Sequence, residues 1–80
     1  MKFLDVCGTG FAYHSGAMVN DNAAAGTAEE CQAQCEASSS CKFWDFGGQV
    51  CRLRSNSGSG KVADSGSSYG TKSCKFGKKS

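Results

Sequence analysis

Thr27-Ala-Glu-Glu-Cys31-Gln-Ala-Gln-Cys35-Glu-Ala-Ser-Ser-Ser-Cys41-Lys-Phe-Trp44-Asp-Phe46-Gly-Gly-Gln-Val-Cys51-Arg-Leu53-Arg54 is the stretch on which the fold turns. Thr27 followed three residues later by Glu30 is the capping-box arrangement, in which a hydroxyl and a carboxylate satisfy the free N–H groups of a helix start. A helix therefore begins at Ala28. Ala28, Cys31 and Cys35 fall on one stripe, while Glu29, Glu30, Gln32 and Glu36 point elsewhere. Ser38-Ser39-Ser40 ends the helix after about three turns, because serine hydroxyls compete for backbone groups. Two aromatic or β-branched runs then flank Gly47-Gly48, which reads as a hairpin with a tight primed turn. Pairing Phe46 with Gln49 would set Trp44 against Cys51 and Lys42 against Leu53. One face then carries Trp44, Phe46, Cys51 and Leu53 and calls for the helix. The other carries Phe43, Asp45, Val50, Arg52 and Arg54, with Asp45 diagonal to Arg52 and able to pair with it.

Before this stretch, Phe11, Tyr13, Ala17 and Val19 alternate with Ala12, His14, Met18 and Asn20 between glycine breaks, which fits short strands. After it, residues 55–70 are so rich in serine and glycine that they read as one long loop. Residues 71–76 read as a closing strand carrying Cys74. The domain is expected to span 7–74, with 1–6 and 75–80 as terminal flanks or linker.

Eighty residues with six cysteines, no proline and a formal net charge of +2 make room for one small core. A chain this short buries about 60% of its unfolded surface, so its stability needs covalent help. Six cysteines allow about 15 pairings, and geometry narrows them. Cys31 and Cys35 lie one turn apart and face the same sheet. Cys35, in the last turn, is near Cys41, and the returning strand brings Cys51 toward Cys31. The expected bridges are Cys35–Cys41 and Cys31–Cys51, leaving Cys7–Cys74 to tie the chain ends. In the loop-entropy model these stabilise by at most about 2.4, 3 and 4.5 kcal/mol respectively. Such bridges persist in oxidising surroundings, so a secreted or extracellular location is expected and a cytosolic enzyme disfavoured. No apolar run is long enough for a signal peptide or a membrane span, which points to a module of a longer exported protein without membrane insertion.

The chemistry-bearing residue types do not assemble into a catalytic pattern. Cys31-x₃-Cys35 has the spacing of half a zinc site, but Cys41 and Cys51 do not supply the other half and His14 is the only histidine. An even cysteine count leaves no thiol nucleophile, and His14 reads as a surface residue rather than a base. Gly58-Ser-Gly-Lys61 is not a phosphate loop, because Ser55 and Val62 stand where glycine and Ser or Thr are required. The expectation is no enzyme, no metal and no cofactor. Phe43, Trp44 and Phe46 read as core rather than as a base-stacking platform, and Lys72, Lys75, Lys78 and Lys79 as a solvated tail, so no nucleic acid is expected. Lys61, Asp64, Tyr69 and Lys72 are the candidate ligand-binding side chains, an aromatic face with polar groups of the kind that sugars need. Read plainly, they are loop polarity with one tyrosine packed over the sheet.

The run Cys-x₃-Cys-x₅-Cys-x₂-Trp-x-Phe…Cys-x-Leu over Cys31 to Leu53, flanked by Cys7 and by Tyr69-Gly-Thr-Lys72-Ser-Cys74, resembles the PAN/apple domain. The resemblance covers nearly the whole chain. It implies an α+β fold, a small disulfide-rich antiparallel sheet of about five strands cradling one helix, with the helix cysteines bridged to the central hairpin. The additional Cys7–Cys74 pair looks like the apple subtype. The Ala/Gly/Ser-rich composition is similar in style to the apple modules of apicomplexan micronemal adhesins. The resemblance also implies a non-catalytic adhesion module of a multi-domain secreted protein, monomeric in isolation. Its expected partner is another secreted or micronemal protein, or a host-cell surface protein or glycan. A galactose-type lectin, a non-catalytic appendage of a secreted serine protease and a spacer between modules are the alternatives.

Overall fold

Thr27 caps the helix as its sequence requires: its Oγ1 accepts the Glu30 N–H at 3.1 Å, and helix α1 runs Ala28–Ala37. Glu30 reaches back one residue further than in the usual box and accepts the N–H of Gly26 at 2.6 Å. Ser38 closes the helix through its N–H to the Cys35 carbonyl. The last turn carries no basic residue, and Lys72 supplies the missing cation from elsewhere, its Nζ donating to the Ser38 carbonyl at 2.7 Å.

The computed structural model describes residues 6–13 and 15–76. In chain order the elements are β1 (Gly8–Tyr13), β2 (Met18–Ala23), α1, β3 (Phe43–Gly47), β4 (Val50–Arg54) and β5 (Lys61–Thr71). The strands form one antiparallel sheet in the order β1-β5-β3-β4-β2. The small disulfide-rich α+β fold is thus the expected one. Helix α1 lies on the face of Trp44, Phe46, Cys51 and Leu53, and Cys31, Cys35, Cys41, Trp44 and Cys51 are fully buried there. Disulfides join Cys31 to Cys51, Cys35 to Cys41 and Cys7 to Cys74, so the core is built largely from sulfur around one indole. The Trp44 N–H donates to the Thr71 carbonyl at 3.0 Å, which removes the cost of burying it.

The hairpin register differs from the expected one by two residues. Gly47 pairs with Val50, Phe46 with Cys51, Trp44 with Leu53 and Asp45 with Arg52, and the turn is Gly48-Gln49. Both turn residues have positive φ, 57° and 67°, as a type I′ turn demands. Gly47 is thus in the ladder, and Ser67 Oγ occupies the place where a Cβ on it would stand. A two-residue slide leaves every side chain on its face, which is why the face assignment survives.

Two further expectations are corrected. Of residues 55–70, only 55–60 are loop, and Lys61 onward is the eleven-residue strand β5. Ser68 and Tyr69 pair with both β1 and β3, and Gly70 and Thr71 with β3, so neighbours rather than intrinsic propensity make it a strand. Small residues are needed there: Ser67 faces Gly47, and a Cβ on Gly70 would collide with Cys74 Sγ and crowd the Trp44 indole. Residues 71–76 are not a closing strand. β5 ends at Thr71, a turn follows, and Lys75 makes an isolated parallel bridge with Val6 beside the Cys7–Cys74 bond.

β1 and β2 lie at opposite edges, four strand spacings or about 19 Å apart in a flat sheet. Only four residues join Tyr13 to Met18, enough to reach about 17 Å. The sheet therefore curls over the face opposite the helix. Inside the curl Asp45 is fully buried and accepts from Tyr13 N–H (3.2 Å), Arg54 Nε (3.2 Å) and Arg52 Nη1 (3.3 Å). Arg54 also donates to the Gly16 carbonyl at 3.0 Å and so holds the crossing segment down. Asp45 is directly opposite Arg52 rather than diagonal to it, a consequence of the register.

Candidate functional site

The face away from the helix carries an aromatic series that runs from the interior to the surface. Tyr69 of β5 stands opposite both Gly8 and Asp45, and Gly8 has no Cβ because the Tyr69 ring lies where one would be. Register then places Lys61 opposite Tyr13 and Ala63 opposite Phe11. Phe43 meets Tyr13 edge-on at 5.3 Å between centroids, Tyr13 meets Tyr69 at 5.8 Å, and Tyr69 meets Phe11 at 6.2 Å, all near the T-shaped geometry that aromatic quadrupoles favour. Tyr13 is buried, Phe43 and Tyr69 half-buried, and Phe11 41% exposed. The exposed Lys61 sits at the outer end, its Nζ 4.5 Å from the Tyr69 centroid and 5.5 Å from that of Phe11. The same ammonium donates to Tyr69 Oη at 3.1 Å.

Of the four candidate ligand-binding residues, the structure brings two together, Lys61 and Tyr69. Asp64 lies in a four-residue excursion of β5 (64–67) that faces a single β1 residue, Gly10; its Oδ2 accepts from Ser67 Oγ at 2.8 Å. Lys72 is committed to the helix end described above, and its carbonyl accepts from Gln32 Nε2 at 2.8 Å. Phe11 completes the shelf and was not among the candidates. Its place beside Tyr69 depends on β1–β5 pairing, which is invisible while β5 is read as loop.

Among the described residues no group of His, Cys, Asp and Glu side chains is spaced to hold a metal ion, and all six cysteines are in disulfides. His14 lies outside the described residues. No described helix is long and apolar enough to cross a membrane.

The fold and its sulfur core define a small disulfide-stapled α+β module. Residues 8–74 match the family model of the PAN domain, and the chain belongs to that family. A comparison with curated proteins returned no match. PAN domains are in general non-catalytic modules that bind proteins or carbohydrates, and the density of disulfides fits an extracellular setting.

Proposed function

We propose that residues 7–74 are one adhesion module of a multi-domain secreted protein, of the kind carried by apicomplexan micronemal adhesins, and that it docks a protein partner through the face bearing Phe11, Lys61 and Tyr69. The observation that supports this reading is the half-open aromatic series with a cation at its end. Phe11 is 41% exposed, and Lys61 is held between the two outer rings. Tyrosine and other aromatics anchored in a rigid scaffold are the side chains that dominate protein interfaces. The partner is another secreted protein or a host-cell surface protein. Saturable binding of the labelled domain to a secreted or cell-surface protein, weakened by Phe11→Ala, is the expected result; binding unaffected by changes at Phe11, Lys61 and Tyr69 would move the site elsewhere.

A carbohydrate ligand is the second reading, favoured by the Phe11 and Tyr69 rings, which offer apolar faces, and by the adjoining ammonium and phenol, which offer hydrogen bonds. Titration with a galactoside separates the two. Shifts confined to Phe11, Lys61 and Tyr69 assign the shelf to sugar, and their absence leaves the protein partner.

A further inference from the structure

We infer that the Phe11–Lys61–Tyr69 shelf receives a carboxylate side chain from an acidic segment of the partner, an inference that rests on the protein-docking reading above. An ammonium has three donors, and Lys61 spends one on Tyr69 Oη. Both ion pairs among the described residues end on Asp45, so no described carboxylate neutralises Lys61. Asp64, three residues along, is turned to Ser67. Arg52 and Arg54 are committed to Asp45, and Lys72 to the Ser38 carbonyl. Among the described residues Lys61 is therefore a cation that is exposed, without a carboxylate partner and held in position.

That it is held matters. Two rings restrict its rotamers before any partner arrives, so less side-chain entropy is lost on binding than at a free surface lysine. A carboxylate approaching from solvent meets the two unspent donors while the cation stays over the Tyr69 ring. The exposed Phe11 ring beside it covers the methylene stem of a glutamate. Charge complementarity thus selects an acidic partner segment over a neutral or basic one. Gly8 is the positioning residue of this arrangement, because a Cβ there would run into the Tyr69 ring and move it away from Lys61.

The test is an NMR titration of the isotopically labelled full chain with an acetylated, amidated Gly-Glu-Gly-Glu-Gly peptide and its glutamine counterpart. Saturable shifts at Phe11, Lys61 and Tyr69 are expected with the glutamate peptide. Affinity should fall about tenfold with the glutamine peptide or with Lys61→Gln, and stay within about threefold with Lys61→Arg. Gly8→Ala should weaken binding while the Trp44 indole N–H resonance keeps its position, a sign that the core is intact. Equal binding by Lys61→Gln, or shifts confined to Lys42 and Lys75, would overturn the inference. A secreted protein bound equally by wild type and Lys61→Gln would overturn it while leaving the docking reading in place. A galactoside that shifts the shelf where the peptide does not would overturn both.

Discussion

Asp45→Asn removes one charge from the most enclosed polar group in the domain. Asp45 has no exposed surface and meets three donors, two of them guanidinium groups. The asparagine oxygen can keep Tyr13 N–H and Arg54 Nε, but its amide nitrogen then faces Arg52, donor against donor. Arg52 has 37% of its side chain in solvent and can turn outward at little cost. Arg54, at 7%, cannot, and is left as a buried cation without a counter-charge. Breaking such a pair from one side costs about 3 kcal/mol, whereas removing both partners is far milder. With a urea m-value of about 1 kcal/mol/M, the unfolding midpoint of the oxidised protein should fall by about 3 M. Asp45→Asn combined with Arg54→Met should recover at least about 1 kcal/mol of the loss, because the stranded cation is gone. Amide exchange at residues 15–17 should accelerate in the single variant, since Arg54 ties that crossing through Gly16. A midpoint shift under about 1 M, or a double variant no better than the single one, would refute the claim that this pair is desolvated and holds the curl.

Three other outcomes are expected. Gln49→Gly should raise stability by about 1 kcal/mol, because Gln49 sits at φ 67° where a side chain is penalised; thermal unfolding should shift upward by about 4–8 °C. Thr27→Ala should cost about 1 kcal/mol through loss of the helix cap, measured by urea unfolding, with Glu30 N–H gaining faster exchange. Gly70→Ala should cost about 1–3 kcal/mol by overpacking against Cys74 and the Trp44 indole, seen as a lowered midpoint and a changed Trp44 fluorescence.

The helix and the central hairpin were legible because their signals are local. Thr27, Glu30 and the serine run mark helix ends by backbone hydrogen bonding, and Trp44, Phe46, Cys51 and Leu53 mark a face by period two. What escaped reading was decided by distant neighbours. The two-residue slide of the hairpin puts Gly47 in the ladder, where Ser67 from a strand far along the chain packs against it. In β5 the close approach of Ser67 to Gly47 and of Gly70 to Cys74 and Trp44 demands small residues, and Gly66 sits at φ 92°, so the composition of the strand imitates a loop. Asp45 and Arg52 were readable as a possible pair, but the second guanidinium and the crossing at Gly16 appear only once the sheet curls. At the candidate site the residue types Lys61 and Tyr69 stand out locally. Their meeting with Phe11 requires the β1–β5 register, and the commitment of Lys72 to the helix end is purely tertiary.

The closure at the chain ends has a mechanical consequence. Cys7 and Cys74 are joined with their Cα atoms 5.1 Å apart, although 67 positions separate them along the backbone. The parallel bridge from Val6 to Lys75 means that the polypeptide arrives and departs along one heading, like a thread through a bead. Tension applied upstream of Cys7 and downstream of Cys74 is carried across by a single covalent sulfur link, and the intervening segments stay slack. The face bearing Phe11, Lys61 and Tyr69 is thereby insulated from traction on the chain until that link is reduced.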